Sequence, residues 1–582
     1  MTRFYLLFSI LFACGFGSVS RAQDAGSEKP NILFIAMDDL NDWIGCFGGN
    51  PQSITPNLDR MAASGVLFTN AHCPAAACNP SRTAIMTGMS PHRSGLYSNE
   101  QKMREILPEV DILPQHFRNH GYRSSGSGKM LHYFTDARSW DEYFPAKEKE
   151  NPIPPTFYPE NRPVNLPVGG PWQYVETDWA ALDVTDEEFG GDWSVSEWVS
   201  KKLGEKHEKP QFLACGIYRP HEPWFVPAKY FEPFPLEDIQ LPRGYKSDDL
   251  DDLPPAGKKR GPNRYFAHIQ KNKQWKKGIQ GYLASIHFAD AMLGRVLDAL
   301  ENGPNKDNTI VVLWSDHGWH LGEKEHWQKF TGWRAVTRVP LMIKVPKNLA
   351  SSLPAGTKAG GVCDQPVSVL SLFPTLTDLA GISSGKGVDG TSLTPLLKNP
   401  EAEWDGVAVT FLHDGGSYGL SAKDWRYIHY ADGGEELYHI AKDPYEWDNL
   451  AGSAEYAKKL EELRELGPKE FARKKAPSIK ALSALKWRAI TGEDAPASKP
   501  DGASFKVAFI NRRSQPVELF WMDGKGGAKS YGLIESGKTQ EQSTRPGAVW
   551  RIGNPGEKNA SGYFVVGDRR SKAVIPKLPK NN

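Results

Sequence analysis

The stretch NILFIAMDD, Asn31 to Asp39, is an unbroken apolar run that ends in two carboxylates. A run without polar alternation is buried on both faces, as a strand inside a parallel sheet is, and the polar residues at its carboxyl end then open onto a site. QFLACGIYRPH (211–221), TIVVLWSDHG (309–318) and VPLMIKVP (339–346) repeat the pattern. Between them lie helical patterns, Gly281–Gly303 and Val367–Gly381. Strands alternating with helices predict an α/β fold with a doubly wound sheet, whose ligands bind beyond the strand ends.

Composition sets the outer limits. A chain of 582 residues, 39% hydrophobic and 11% aromatic, buries a large core and is long enough for more than one domain. The 70 basic and 69 acidic side chains nearly cancel, so charge gives no case for nucleic acid or a membrane surface. The N-terminus carries one arginine, an apolar stretch from Phe4 to Phe16, and the small-x-small sequence Ser20-Arg21-Ala22. These features predict an export signal over residues 1–22 and a periplasmic or secreted protein. The apolar run falls short of the roughly 20 residues of a spanning helix. Lipidation at Cys14 is the weaker alternative, because Phe12 is bulky where a lipoprotein box has a small residue. No other segment is long and apolar enough to span a bilayer. Export permits disulfides, but Cys46, Cys73, Cys78, Cys215 and Cys363 are odd in number, and their pairing stays open between bridges and buried thiols.

The ends of the predicted strands carry Asp38-Asp39 and Asp316-His317. Three carboxylates and an imidazole suit a hard divalent cation, calcium first and magnesium second. Either pair alone would also suit a turn, a helix cap or a surface. Both pairs follow buried strands, and that favours a metal site.

The segment CNPSRTAIMTG, Cys78 to Gly88, matches C-x-P-S-R...T-G in order and spacing, and by it the chain resembles the type I sulfatases of the alkaline phosphatase superfamily. DDLNDWIGCFGG (38–49), GKMLHYF (128–134), YRPHEPWFVP (218–227), SDHGWHLGE (315–323) and ELYHIAKDPYEWDNLAG (436–452) are similar to the iduronate-2-sulfatase branch, as is Asp-His where many members have Asp-Asn. The resemblance implies a sulfatase domain over 23–490 built on a doubly wound mixed sheet, with a smaller C-terminal α+β subdomain from about 400. It implies that a maturation enzyme oxidises Cys78 to Cα-formylglycine, and that Asp38, Asp39, residue 78, Asp316 and His317 bind the metal. Arg82 would stabilise the aldehyde hydrate. Lys129 would contact sulfate and His132 would orient or deprotonate the hydrate, while His221 and Lys329 touch the sulfate and the leaving oxygen. Taken outside these motifs, a Lys or His of this kind is ordinary solvated surface.

Substrate selection is expected around PHEPWFVPAKYF (220–231), Trp319-His320 and the proline-rich insert 150–175, with Trp172, Trp224 and Trp319 as candidates for stacking on sugars. Packing is the stronger expectation, since most of the 18 tryptophans should be core residues and an aromatic beside proline is a common loop anchor. Residues 491–504 read as a linker, residues 505–570 as a small β-sandwich and residues 571–582 as a flexible tail. The sandwich resembles the von Hippel-Lindau β domain through Asn511-Arg512, Val517, Trp521, Tyr531, Gly537 and Trp550. A pocket histidine of that domain is replaced by Ala548, so an adhesion or structural role, toward a protein or a glycan, is expected instead.

The expected activity is hydrolysis of a sulfate ester on a carbohydrate. A phosphodiester or phosphonate monoester hydrolase of the same superfamily, or an exported binding protein with an unmodified Cys78, are the alternatives.

Overall fold

The computed structural model describes residues 29–132, 134–147, 151–158, 165–167, 176–475, 478–490, 494–500, 504–556, 560–567 and 570–577. The predicted export signal, Cys14, Trp172 and most of the insert 150–175 lie outside them.

An eight-stranded mixed sheet forms the centre. Its strands are β1 (Asn31–Met37), β2 (Val66–Phe68), β3 (Arg123–Gly128), β4 (Glu142–Phe144), β5 (Gln211–Ile217), β6 (Thr309–Ser315), β7 (Leu341–Lys344) and β8 (Gly361–Cys363). They lie in the order β8-β2-β7-β6-β1-β5-β3-β4. Along β1 the side chains alternate between two cores, as the period of a strand requires: Leu33, Ile35 and Met37 enter one, Ile32, Phe34 and Ala36 the other. The first core is covered by α1 (Pro56–Ser64), α3 (Asp192–Leu203) and α4 (Trp275–Glu301), the second by α2 (Cys78–Thr87) and α5 (Leu372–Leu379). Helices on both faces leave no open sheet surface, which is why the strands read as continuous apolar runs.

Register decides where the polar ends meet. Met37 pairs with both Ile217 and Ser315, so β1, β5 and β6 stop at one level and release Asp38, Tyr218 and Asp316 side by side. Gly128 pairs with Gly216, which brings Lys129 to the same edge. A Cβ on Gly128 would come within 2.0 Å of the Gly216 carbonyl oxygen, so only glycine allows this approach. VPLMIKVP differs from its expected direction: β7 runs antiparallel to both β6 and β2. An apolar run reports burial on two faces and carries no information about direction.

A four-stranded antiparallel sheet, β9 (Ala408–Phe411), β10 (Tyr418–Ser421), β11 (Trp425–His429) and β12 (Glu435–His439), with α6 (Ala457–Leu466), forms the smaller subdomain. The C-terminal module consists of a five-stranded and a three-stranded sheet around Phe509, Trp550, Phe564 and Ile575. Its strands are β13 (Phe505–Asn511), β14 (Val517–Met522), β15 (Ala528–Ile534), β16 (Thr539–Thr544), β17 (Val549–Gly553), β18 (Ala560–Val565) and β19 (Ser571–Ile575).

The module is longer at both ends than its composition suggests. Leu485 and Trp487 pack on its core, and Arg488–Ala489 pair with β18. Within the expected linker, Ala495 is buried and the Ser498 hydroxyl accepts from the Val549 backbone N–H at 2.8 Å. The expected tail begins with β19, which runs parallel to β13 and buries Ala573 and Ile575. Alternation in Ser571–Ile575 was the available signal, and the surrounding lysines masked it. Among the described residues Cys46, Cys73, Cys78, Cys215 and Cys363 are all free thiols.

Candidate active site

Cys78 opens α2, and every residue of that helix is buried. Pro80 is tolerated because it stands in the first turn, where its missing N–H has no intrahelical partner to lose. Arg82 follows four residues later and shares the face of Cys78. Both are 0% exposed.

The guanidinium of Arg82 spans two strand ends: Nε donates to Asp316 Oδ2 at 2.7 Å and one NH2 group to Asp38 Oδ1 at 3.0 Å. Its other terminal nitrogen donates to the Lys129 carbonyl. Lys129 is paired with Asp38, and Lys329 Nζ lies 2.8 Å from Asp39 Oδ1. The thiol of Cys78 sits between these groups, 3.0 Å from Lys329 Nζ, 3.2 Å from His317 Nε2 and 3.9 Å from Lys129 Nζ. His132 also hydrogen-bonds to it. His221 Nε2 is 3.7 Å from Asp39 Oδ2. The structure therefore brings Asp38, Asp39, Cys78, Arg82, Lys129, His132, His221, Asp316, His317 and Lys329 into one cluster at the carboxyl edge of the sheet.

Burial pushes the Cys78 thiol up, but Lys129, Lys329 and His317 outweigh it and hold the thiol well below its ordinary value. Burial likewise opposes ionisation of Asp38, yet Lys129 and Arg82 keep it below the usual carboxylate range. His132 and His221 are shifted in opposite directions. Burial lowers His132, whereas at His221 the carboxylate of Asp39 overcomes burial and raises it.

The donor set fits a divalent cation. One ligand atom from each of Asp39, Cys78 and His317 lie within 4.8 Å of one another, as do those of Asp38, Cys78 and Asp316. Asp39 Oδ2 is buried without a hydrogen-bond partner, a costly state for a carboxylate oxygen unless a cation meets it. Oxygen-rich ligation of this kind favours a hard ion.

The family model described as Sulfatase matches residues 30–382, and one described as N-sulphoglucosamine sulphohydrolase, C-terminal, matches residues 322–469. The chain belongs to the sulfatase family. It is 39% identical over 482 residues to a sulfatase of Formosa agariphila, covering 81% of this chain and 92% of that protein. It is 31% identical over 411 residues to the iduronate 2-sulfatase of Mus musculus, covering 65% and 74% of the two chains. The solved phosphonate monoester hydrolase of Agrobacterium radiobacter shares the fold, with a TM-score of 0.59, 24% identity, and coverage of 75% of this chain and 94% of that one. The sulfatase is thus an enzyme of sulfate esters on an alkaline-phosphatase-type sheet.

Several supports of this sulfatase's site were not legible in the sequence. Glu222 is buried and accepts from Gln328 Nε2 at 3.0 Å and from the Thr177 hydroxyl at 2.7 Å. It ties the segment carrying His221 to the one carrying Lys329. Gln328 and Phe330, on either side of Lys329, have φ of 83° and 77°, a left-handed backbone that needs such anchoring. Asp192 accepts the backbone N–H groups of Tyr218 at 2.7 Å and Arg219 at 2.9 Å, fixing the turn that leads to His221. Glu222 stands inside the PHEPW block, the one signal available for it. Trp224 and Trp319 are not free to stack on sugars: each is 1% exposed, and Trp224 packs on Trp179, Tyr282, Trp319 and Trp327.

Proposed function

We propose that this sulfatase is an exported enzyme that removes sulfate from a sulfated carbohydrate, with a Cα-formylglycine made from Cys78 by a separate maturation enzyme and a calcium ion held by Asp38, Asp39, residue 78, Asp316 and His317. The observation that carries the proposal is the position of Cys78 in the first turn of α2, in contact with Lys329 and His317 and within 3.9 Å of Lys129. A sulfate monoester is an anion that repels nucleophiles, so its charge must be matched before sulfur is attacked. Lys129 and Lys329 supply two ammonium groups at that point. Arg82, locked by two carboxylates, holds the turn of residue 78 and adds a third positive charge.

The opposite shifts of the two histidines support different roles for them. His132, lowered by burial, is the better suited of the two to take a proton from a hydroxyl on residue 78. His221, raised by Asp39 against the opposing effect of burial, is the better suited of the two to give a proton to the departing sugar oxygen. A divalent ion in this site would neutralise sulfate oxygens and acidify a hydroxyl bound to it. The aldehyde hydrate would supply two hydroxyls on one carbon, one to attack and one to release sulfate afterwards.

Relatives named for carbohydrate sulfates support that substrate class, among them the iduronate 2-sulfatase of Mus musculus and the N-acetylglucosamine-6-O-sulfatase of Bacteroides thetaiotaomicron. The C-terminal module, with its likeness to the von Hippel-Lindau β domain, serves adhesion rather than chemistry. The test is the peptide mass around residue 78 from the native host, joined to turnover of matched sulfate and phosphonate esters. A mass about 18 Da below that of cysteine, as thiol-to-aldehyde oxidation gives, with preference for sulfate, agrees with the proposal. An intact thiol, or preference for phosphonate, overturns it.

A further inference from the structure

One end of the C-terminal module carries a surface cavity of about 430 Å³ lined by Arg512, Arg513, Ser514, Gln515, Ser536 and Lys577, with Gly537 at its edge. Three loops build it: the β13–β14 turn, the β15–β16 turn and the chain leaving β19. Three cations face it, and no acidic residue among the described residues lines it.

Arg512 and Lys577 are exposed, but Arg513 is 5% exposed and has no carboxylate partner among the described residues. Its Nε donates to the Pro576 carbonyl at 3.3 Å and one NH2 group to the Ser561 hydroxyl at 2.8 Å. The other terminal nitrogen, Nη1, is buried without a hydrogen-bond partner. This buried guanidinium is met only by neutral acceptors and by the Trp487 ring, 5.8 Å from its Cζ, and an anion in the adjoining cavity would complete it. Burial depresses the Arg513 pKa, in keeping with a missing counter-charge.

The frame is rigid. Asn511 is 0% exposed, and its side chain donates to the carbonyls of Gln515 and Ile534, both at 2.9 Å, while its Oδ1 accepts the Arg513 N–H at 2.9 Å. The Gly537 N–H donates to the Asn511 carbonyl at 3.0 Å, joining two of the loops. Holding a cationic turn this way keeps the donors aimed before any ligand arrives, which is how a binding site avoids ordering costs.

We propose that Arg512, Arg513 and Lys577 form a second anion site, separate from the sulfatase centre, that holds sulfate groups along a polyanionic glycan chain. A planar guanidinium with adjacent hydroxyls matches sulfate oxygens. That the anion belongs to a polymer rests on the carbohydrate reading above. Binding is read here without turnover, so either can fail alone.

The experiment compares the full chain with the double variant Arg512→Ala/Lys577→Ala and with Arg513→Lys. Each is titrated with dextran sulfate, with unsulfated dextran and with sodium sulfate, and assayed on a small aryl sulfate. The expected result is binding of dextran sulfate but not dextran, weakened about tenfold in both variants, the scale of one or two lost charge-assisted bonds, with aryl sulfate turnover unchanged. Equal dextran sulfate affinity in all three proteins overturns the site. Loss of free-sulfate binding alone, with polymer affinity unchanged, overturns the polymer as its ligand.

Discussion

Replacing Arg82 with alanine removes the one group that bonds to both Asp38 and Asp316, at 3.0 and 2.7 Å, with all three side chains 0% exposed. Breaking a buried ion pair costs about 3–5 kcal/mol, because the abandoned carboxylate stays out of water. Two carboxylates lose a partner here, but Lys129 still pairs Asp38, and His317 Nε2 stands 3.6 Å from Asp316 Oδ2. The same range of about 3–5 kcal/mol therefore applies, against a total stability of about 5–15 kcal/mol. For a domain this large, 1 kcal/mol moves Tm by about 1–2 °C, so the melting temperature in chelator should fall by about 3–10 °C. A calcium ion bound as proposed would supply the counter-charge that Arg82 no longer does, so the fall should be smaller with calcium than with chelator. The assay is thermal unfolding of wild type and Arg82→Ala in both conditions, with Arg82→Lys as the variant that keeps charge but not the two-sided geometry. A fall of less than about 1 °C in chelator, or one equal in the two conditions, would refute the view that Arg82 neutralises the metal-binding carboxylates.

Other expectations follow from the same geometry. Glu222→Gln keeps the shape but weakens the tie to Gln328; kcat should drop about tenfold or more through Lys329 and His221 while Tm shifts little, and an unchanged kcat would remove the positioning role. Asp192 is pushed up to about 6 by burial, from an ordinary 3.8. The folded state then holds its proton to higher pH than the unfolded state, so this group's contribution to stability declines as pH rises between those values. Asp192→Asn should therefore gain about 2 kcal/mol relative to wild type on going from pH 4.5 to pH 7, read by denaturant unfolding at the two pH values. Cys78→Ala should fold with unchanged Tm to within a few degrees, yet lose all sulfate ester turnover. Residual activity above about 1% of wild type would show that residue 78 is not the nucleophile.

The site was more legible than its supports for a physical reason. Asp38, Asp39, Asp316 and His317 follow apolar runs, so the sequence itself marks them as strand ends, and Cys78 and Arg82 stand one turn apart within a single motif. Lys129 follows a glycine that pairs with Gly216 and can approach no other way. Glu222, Gln328, Thr177 and Asp192 act across long separations in the chain, and an isolated Glu or Gln has no periodicity that would reveal its partner. For the tryptophans packing was the stronger expectation, and packing is what the structure shows for Trp224 and Trp319. Trp224 and Trp319 lie beside site residues in sequence, but their side chains serve the core.

Sequence alone determined that this protein has strand ends rich in carboxylates, a C-x-P-S-R turn and a separate β-rich C-terminal segment. Those are local properties: burial pattern, helical spacing and turn composition, each written within about ten to twenty residues. Tertiary structure decided that the strand ends stop at one level, that β7 runs antiparallel, that β19 belongs to the module and that Arg513 is buried with no acid beside it among the described residues. Each of these depends on which distant segments meet, and register, direction and counter-charge are set by pairs rather than by single stretches.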